Sequence, residues 1–137
     1  MPSVAELAKF FFELGTACLV LGLSVLGILS MSVPKIASEL YGLPAADPSA
    51  DAWVAIAGLR DLGLALTAFF LHRFERRSLR VFGPTLLIIP IGDALLTYKF
   101  GGTLMGALTH LGGVFAIGVW TACAWLNEDL DARVKTK

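Results

Sequence analysis

The apolar residues of this chain fall into four long runs, each closed by a short polar or proline-containing break. They extend from Phe10 to Val33, Asp51 to Leu71, Val81 to Tyr98 and Leu104 to Leu126. Each run is close to, or longer than, the ~20 residues a helix needs to cross a bilayer's hydrocarbon core. Lipid offers no hydrogen-bond partners, so the backbone of such runs must satisfy itself as helix. The pattern predicts an all-α protein: a four-transmembrane-helix bundle forming one integral membrane domain over residues 1–137.

The breaks refine this. Pro2, Ser3 and Glu6 suit a helix start ahead of the first span. That span is far longer than the ~7–15 apolar residues of a signal peptide and is read as a transmembrane helix. Asp51 is the expected N-cap of the second span. Tyr41, Trp53, Trp120 and Trp125 are expected at the membrane interfaces. The connection 34–50, PKIASELYGLPAADPSA, is apolar enough to lie on the bilayer or fold over the helix ends as a lid. Pro90 removes a backbone bond from the third span, and the bend would open space near Asp93. Glycines such as Gly15, Gly22 and Gly27 permit close helix approach and allow a homo-oligomer. The tail from Asn127 is polar and expected in solvent.

Composition agrees with a membrane protein. Hydrophobic residues make up 56% and charged residues 16% of the chain, against about 45–50% and 25% in soluble proteins. Mean hydropathy is +0.75. Net charge is zero, so nothing points to nucleic acid as a partner. Cys18 and Cys123 lie inside apolar runs and lack the spacing of a zinc site; they read as small apolar side chains. The segment HRFERRSLR places Arg73, Arg76, Arg77 and Arg80 together, which predicts a cytoplasmic loop and both termini on that side. Lys9, Arg133, Lys135 and Lys137 join them there, while Lys35 and Lys99 fall on the far side. The arginines then also suit anionic lipid headgroups.

The candidate chemistry lies in the ionisable residues of the spans, which are costly at membrane depth and usually mark a working site. Arg60 and Asp61 sit at the centre of the second span, Asp93 in the third and His110 in the fourth. At ~1.5 Å per residue they all lie about 8–15 Å from the same end of the bundle. An Arg between two Asp carboxylates can hydrogen-bond to both. It would set their proton affinities apart, giving one acid and one base. Thr97 and Tyr98 are placed to add hydrogen bonds. Glu13 falls near the opposite end, expected to reach for water or to pair with Lys9, and His72 is expected in solvent. The plain structural alternative is that the Arg–Asp set only locks the helices together.

The runs YGLP (41–44), AGLRDLGLAL (57–66), PIGDALL (90–96) and THLGG (109–113) resemble the DUF4267 family, small four-helix membrane proteins common in fungi. The resemblance covers roughly residues 34–120. It further implies a subgroup of membrane epoxide hydrolases or epoxide-opening cyclases in fungal polyketide and terpenoid pathways, housed in the endoplasmic reticulum membrane. An Asp–Arg–Asp set suits that reaction independently: one carboxylate takes a proton from the attacking hydroxyl, and one neutral carboxyl gives a proton to the epoxide oxygen. Arg60, Asp61 and Asp93 form the expected core, with Asp61 as base and Asp93 as acid, or the reverse. His110 and Tyr98 are orienters or a second acid. The expected partners are a lipophilic substrate and membrane lipids, and the chemistry calls for no cofactor or metal. Two alternatives stand beside this reading: a non-catalytic binding or scaffold protein, and a subunit of a proton-coupled transporter using Asp93 and His110 as a relay.

Overall fold

A computed structural model describes residues 3–44 and 47–127. Those residues form six α-helices and one 3₁₀ turn, with no strand among them. Helix α1 is Val4–Ser32, α2 Pro34–Leu40, α3 Pro48–Phe74, α4 Leu79–Leu86, α5 Ile88–Lys99 and α6 Leu104–Leu126; the 3₁₀ turn Arg76–Ser78 joins α3 to α4. Helices α1, α3 and α6, and the segment Arg76–Lys99 containing α4 and α5, are each long and apolar enough to cross a membrane. The chain is a multi-pass membrane protein with an all-α, four-span architecture.

The helix starts follow from their caps. Ser3 accepts a hydrogen bond from the Glu6 amide while Glu6 accepts from the Ser3 amide, a capping box that starts α1 well before Phe10. Asp47, not Asp51, caps α3, accepting from the Ser49 and Ala50 amides with Pro48 at the first helical position. The second span therefore begins earlier than expected and continues to Phe74, which takes His72 out of the loop. Thr103 caps α6, whose bounds are those expected from the sequence.

The third span breaks between Leu86 and Ile88. Pro90 has no amide proton to give the Leu86 carbonyl, so the ladder loses its bond at that turn. The bend thus lies about a turn ahead of the proline that causes it.

Helix α1 packs most extensively on α3, and α5 on α6; α1 and α4 also pack on α6, while α3 and α5 do not pack closely. The α1–α3 crossing depends on Gly27 and Gly58. A Cβ on Gly58 would lie 2.6 Å from Ser30 Cβ and 2.7 Å from the Gly27 carbonyl. At one end of the bundle, called here the arginine end, Phe12, Leu79, Trp120 and Ala124 form a buried cluster. Trp120, expected at the interface, is instead 4% exposed. Its ring stacks on Phe12 and its Nε1 donates to Thr16 Oγ1 at 3.0 Å.

Two charged groups expected near water or lipid also have partners. Glu13 Oε2 lies 2.7 Å from His72 Nε2, and Oε1 accepts from Arg76. Buried Arg80 donates from Nε to the Ala124 carbonyl at 2.9 Å and from Nη2 to the Asn127 carbonyl at 3.0 Å. These carbonyls at the end of α6 have no partners within the helix, so Arg80 serves as its cap. Arg133, Lys135, Lys137 and the tail beyond Asn127 lie outside the described residues.

At the opposite end, called here the loop end, α2 and the residues after it fold inward over α1 and α3. Gly42 has φ +79°, the left-handed conformation that favours glycine. Its carbonyl accepts from the Thr103 amide at 2.9 Å. A Cβ on Gly42 would lie 2.5 Å from Gly106 Cα, so the loop is seated directly on the first turn of α6.

Candidate active site

The inward fold of the residues just after α2 carries Tyr41 into the bundle. Its hydroxyl donates to Asp61 Oδ2 at 2.6 Å. Asp61 Oδ1 accepts from Arg60 Nε at 3.1 Å and Nη2 at 3.0 Å. Arg60 Nη2 also lies 3.8 Å from Asp93 Oδ2 on α5. Arg60 and Asp61 are chain neighbours, so the guanidinium curls back on the adjacent carboxylate while still reaching across to the next span.

The two carboxylates differ in surroundings. Asp61 is only 3% exposed and both its oxygens are hydrogen-bonded. The Asp93 side chain is 27% exposed and meets Arg60 at ion-pair distance only. Asp61 is the anchored member; Asp93 has room to exchange a proton with a ligand.

His110 joins the cluster through Tyr41. Its Nε2 lies 3.0 Å from the Tyr41 carbonyl. A carbonyl only accepts, so this contact requires a proton on Nε2 and leaves Nδ1 as the ring's other polar atom. The His110 and Tyr41 rings also stack, 5° from parallel with centroids 6.1 Å apart. Thr97 Oγ1 approaches the same carbonyl at 3.5 Å. The Tyr41 phenol is pushed up to about 12, first by burial and then by its hydrogen bond to the Asp61 carboxylate. It stays protonated across the physiological range.

Arg60, Asp61, Asp93 and His110 thus meet, from three separate spans, as the sequence places them. Tyr98 does not join them. It is 81% exposed and lines neither of the cavities described below. Thr97 faces inward and is buried, so the next residue, about 100° further round the helix, faces out. Tyr41, expected as an interfacial anchor, is the tyrosine of the site. The only hint in the sequence is that its loop is apolar enough to fold back over the helix ends.

The cluster borders two cavities. The larger, about 560 Å³, runs from Tyr41, Asp61 and His110 between α1 and α6 to Trp120. The smaller, about 360 Å³, lies toward Trp53 and Leu96. Tyr41, Arg60, Asp93 and His110 line both. The larger volume falls within the ~300–1,000 Å³ typical of small-molecule sites, which are mostly apolar with a few convergent polar groups. Among the described residues no three His, Cys, Asp or Glu side chains group as a metal site.

A family model described as a domain of unknown function, DUF4267, matches residues 15–124. No curated protein and no solved structure matches the chain.

Proposed function

The chain belongs to the DUF4267 family, and from that premise we propose that it is a membrane-embedded enzyme that opens a lipophilic epoxide, either with water or with a hydroxyl of the same substrate. The observation that carries the proposal is the placing of Arg60 between Asp61 and Asp93 at the wall of a largely apolar cavity.

In this reading Asp93, protonated, gives its proton to the epoxide oxygen as the carbon–oxygen bond breaks. The attacking hydroxyl loses its proton to Tyr41, whose own phenolic proton passes along the 2.6 Å hydrogen bond to Asp61 Oδ2. Asp61 is then the base, acting through Tyr41, because its carboxylate is nearly closed to the cavity. Arg60 holds the anchored carboxylate and faces the one that empties. His110 and Thr97 fix the Tyr41 backbone. A proton returned from Asp61 to Asp93 resets the site. Water as nucleophile gives a diol, whereas an internal hydroxyl gives a ring of unchanged mass. The arginine end faces the cytoplasm, taking both termini with it, and in a fungal cell the home is the endoplasmic reticulum membrane.

The test is turnover of a panel of lipophilic epoxides by detergent-purified protein, with products identified by mass. General acid catalysis is worth about 10²–10⁴ in rate, and Asp93→Asn is expected to lose that much while melting like the wild type. Turnover undiminished in Asp93→Asn would overturn the assignment of Asp93. One observation favours a helix lock instead: Asp61 is buried with both oxygens hydrogen-bonded. A lock predicts that Asp61→Asn lowers the melting temperature and that neither variant has turnover to lose.

A further inference from the structure

The glycines of α1 and α6 are used in two different ways. Gly15, Gly27 and Gly106 sit at close approaches, where a Cβ would lie 2.7, 2.6 and 2.5 Å from its nearest neighbour. Such contacts are the usual reason for glycine in a membrane helix. Gly22 is different: a Cβ there would meet nothing within 4 Å. Gly113 comes near only Pro90, at 3.5 Å. Both line the larger cavity. Here the missing side chain leaves room rather than bringing helices together.

That room has a direction. Its upper end holds Tyr41, Asp61, Asp93 and His110, and its lower end stops at Trp120. Trp120 is fixed by its stack on Phe12 and its bond to Thr16. From Leu26 down to Gly15 the α1 wall spans 11 residues, about 16 Å at the helical rise. The cavity is polar at one end and apolar toward Trp120.

We propose that the larger cavity binds a single-chain amphiphile, its oxygenated head against Tyr41 and Asp93 and its chain lying past Gly22 and Gly113 to end on Trp120. About a dozen chain carbons fill a path of that length. This names the substrate class of the proposed reaction and rests on reading the polar cluster as the reacting end.

Trp120 supplies its own test. The chain has three tryptophans; Trp53 and Trp125 are exposed and Trp120 is buried. In the Trp53→Phe/Trp125→Phe protein, emission comes from the floor of the cavity alone. Saturated C11–C12 alcohols brominated at the far carbon or beside the hydroxyl are titrated into this protein in detergent. An alcohol has no ring to open, so the result does not depend on epoxide chemistry.

The far-end bromide is expected to quench Trp120 saturably and the near-head bromide to do so weakly. Adding Gly22→Leu, whose side chain enters open space, is expected to weaken far-end quenching about tenfold or more, with the melting temperature unchanged. Equal quenching by both bromides overturns the orientation, whatever the plug variant does. Undiminished far-end quenching in a folded Gly22→Leu protein overturns the path. Stronger quenching by a diacyl phospholipid brominated mid-chain assigns the cavity to bilayer lipid and overturns the single-chain occupant. Saturable far-end quenching without epoxide turnover leaves the binding site standing and removes the reaction.

Discussion

At the scale of residues, ionisable groups inside apolar runs were the legible part of the site. Arg60, Asp61, Asp93 and His110 are each anomalous where they stand, and counting helical rise brings them to one level. Tyrosine carries no such signal. Tyr41 lies in the connection between two spans and Tyr98 at the end of one, and only tertiary structure separates the one folded inward from the one facing out. The pairing of Glu13 with His72, in place of Lys9 or solvent, has no sequence signal because the two stand 59 residues apart. Since Tyr41 relays the proton in the proposed reaction, Tyr41→Phe is expected to lower turnover about 10²-fold without loss of membrane insertion. It also carries a pH signature. The phenol is raised from 10.0 to about 12, so above pH 10 the folded chain holds a proton that the unfolded chain releases. That stabilisation is whole below pH 10 and is lost as pH rises toward about 12. Melting curves between pH 9 and 11.5 should fall more steeply for the wild type than for Tyr41→Phe; parallel curves would deny Tyr41 its buried bond to Asp61.

At the scale of elements, the four spans could be read from hydrophobicity, and the differences lie at their ends. Caps outside the apolar run set those ends: Ser3 and Asp47 start α1 and α3 in polar sequence that a hydropathy pattern does not count. The break near Leu87 follows from Pro90, which leaves the Leu86 carbonyl one turn earlier without its donor. The glycines separate by what surrounds them. Gly58→Leu would force a side chain into Ser30 and the Gly27 backbone, displacing the α3 segment that carries Arg60 and Asp61. It is expected to destabilise the fold by about 1–3 kcal/mol or more and to abolish turnover. Gly63→Ala, with open space around its Cβ, should change stability by less than about 1 kcal/mol. Thermal unfolding of the two variants side by side checks the contrast; equal effects would mean that the α1–α3 crossing does not depend on close approach.

At the scale of the whole molecule, the charge pattern predicts a topology that the helices alone leave open. With Arg73, Arg76, Arg77 and Arg80 at one end and the acidic 39–51 segment at the other, the arginine end is expected in the cytoplasm. A glycosylation acceptor placed near Asp47 should be modified in microsomes and one placed near Arg77 should not; the reverse pattern would invert the assignment.

The placing of the larger cavity has a consequence for how such a protein is supplied. If the proposed reading holds, a space lined by α1, α3, α5 and α6 at membrane depth would draw its ligand from the surrounding lipid phase, not from bulk solution. Its occupancy would then be governed by molecules of ligand per molecule of lipid, so that added lipid or detergent would dilute the ligand even at constant molarity. A scarce, poorly soluble compound made in the same membrane is already concentrated for such a site, and a more soluble competitor is kept away by partitioning before any side chain has to reject it.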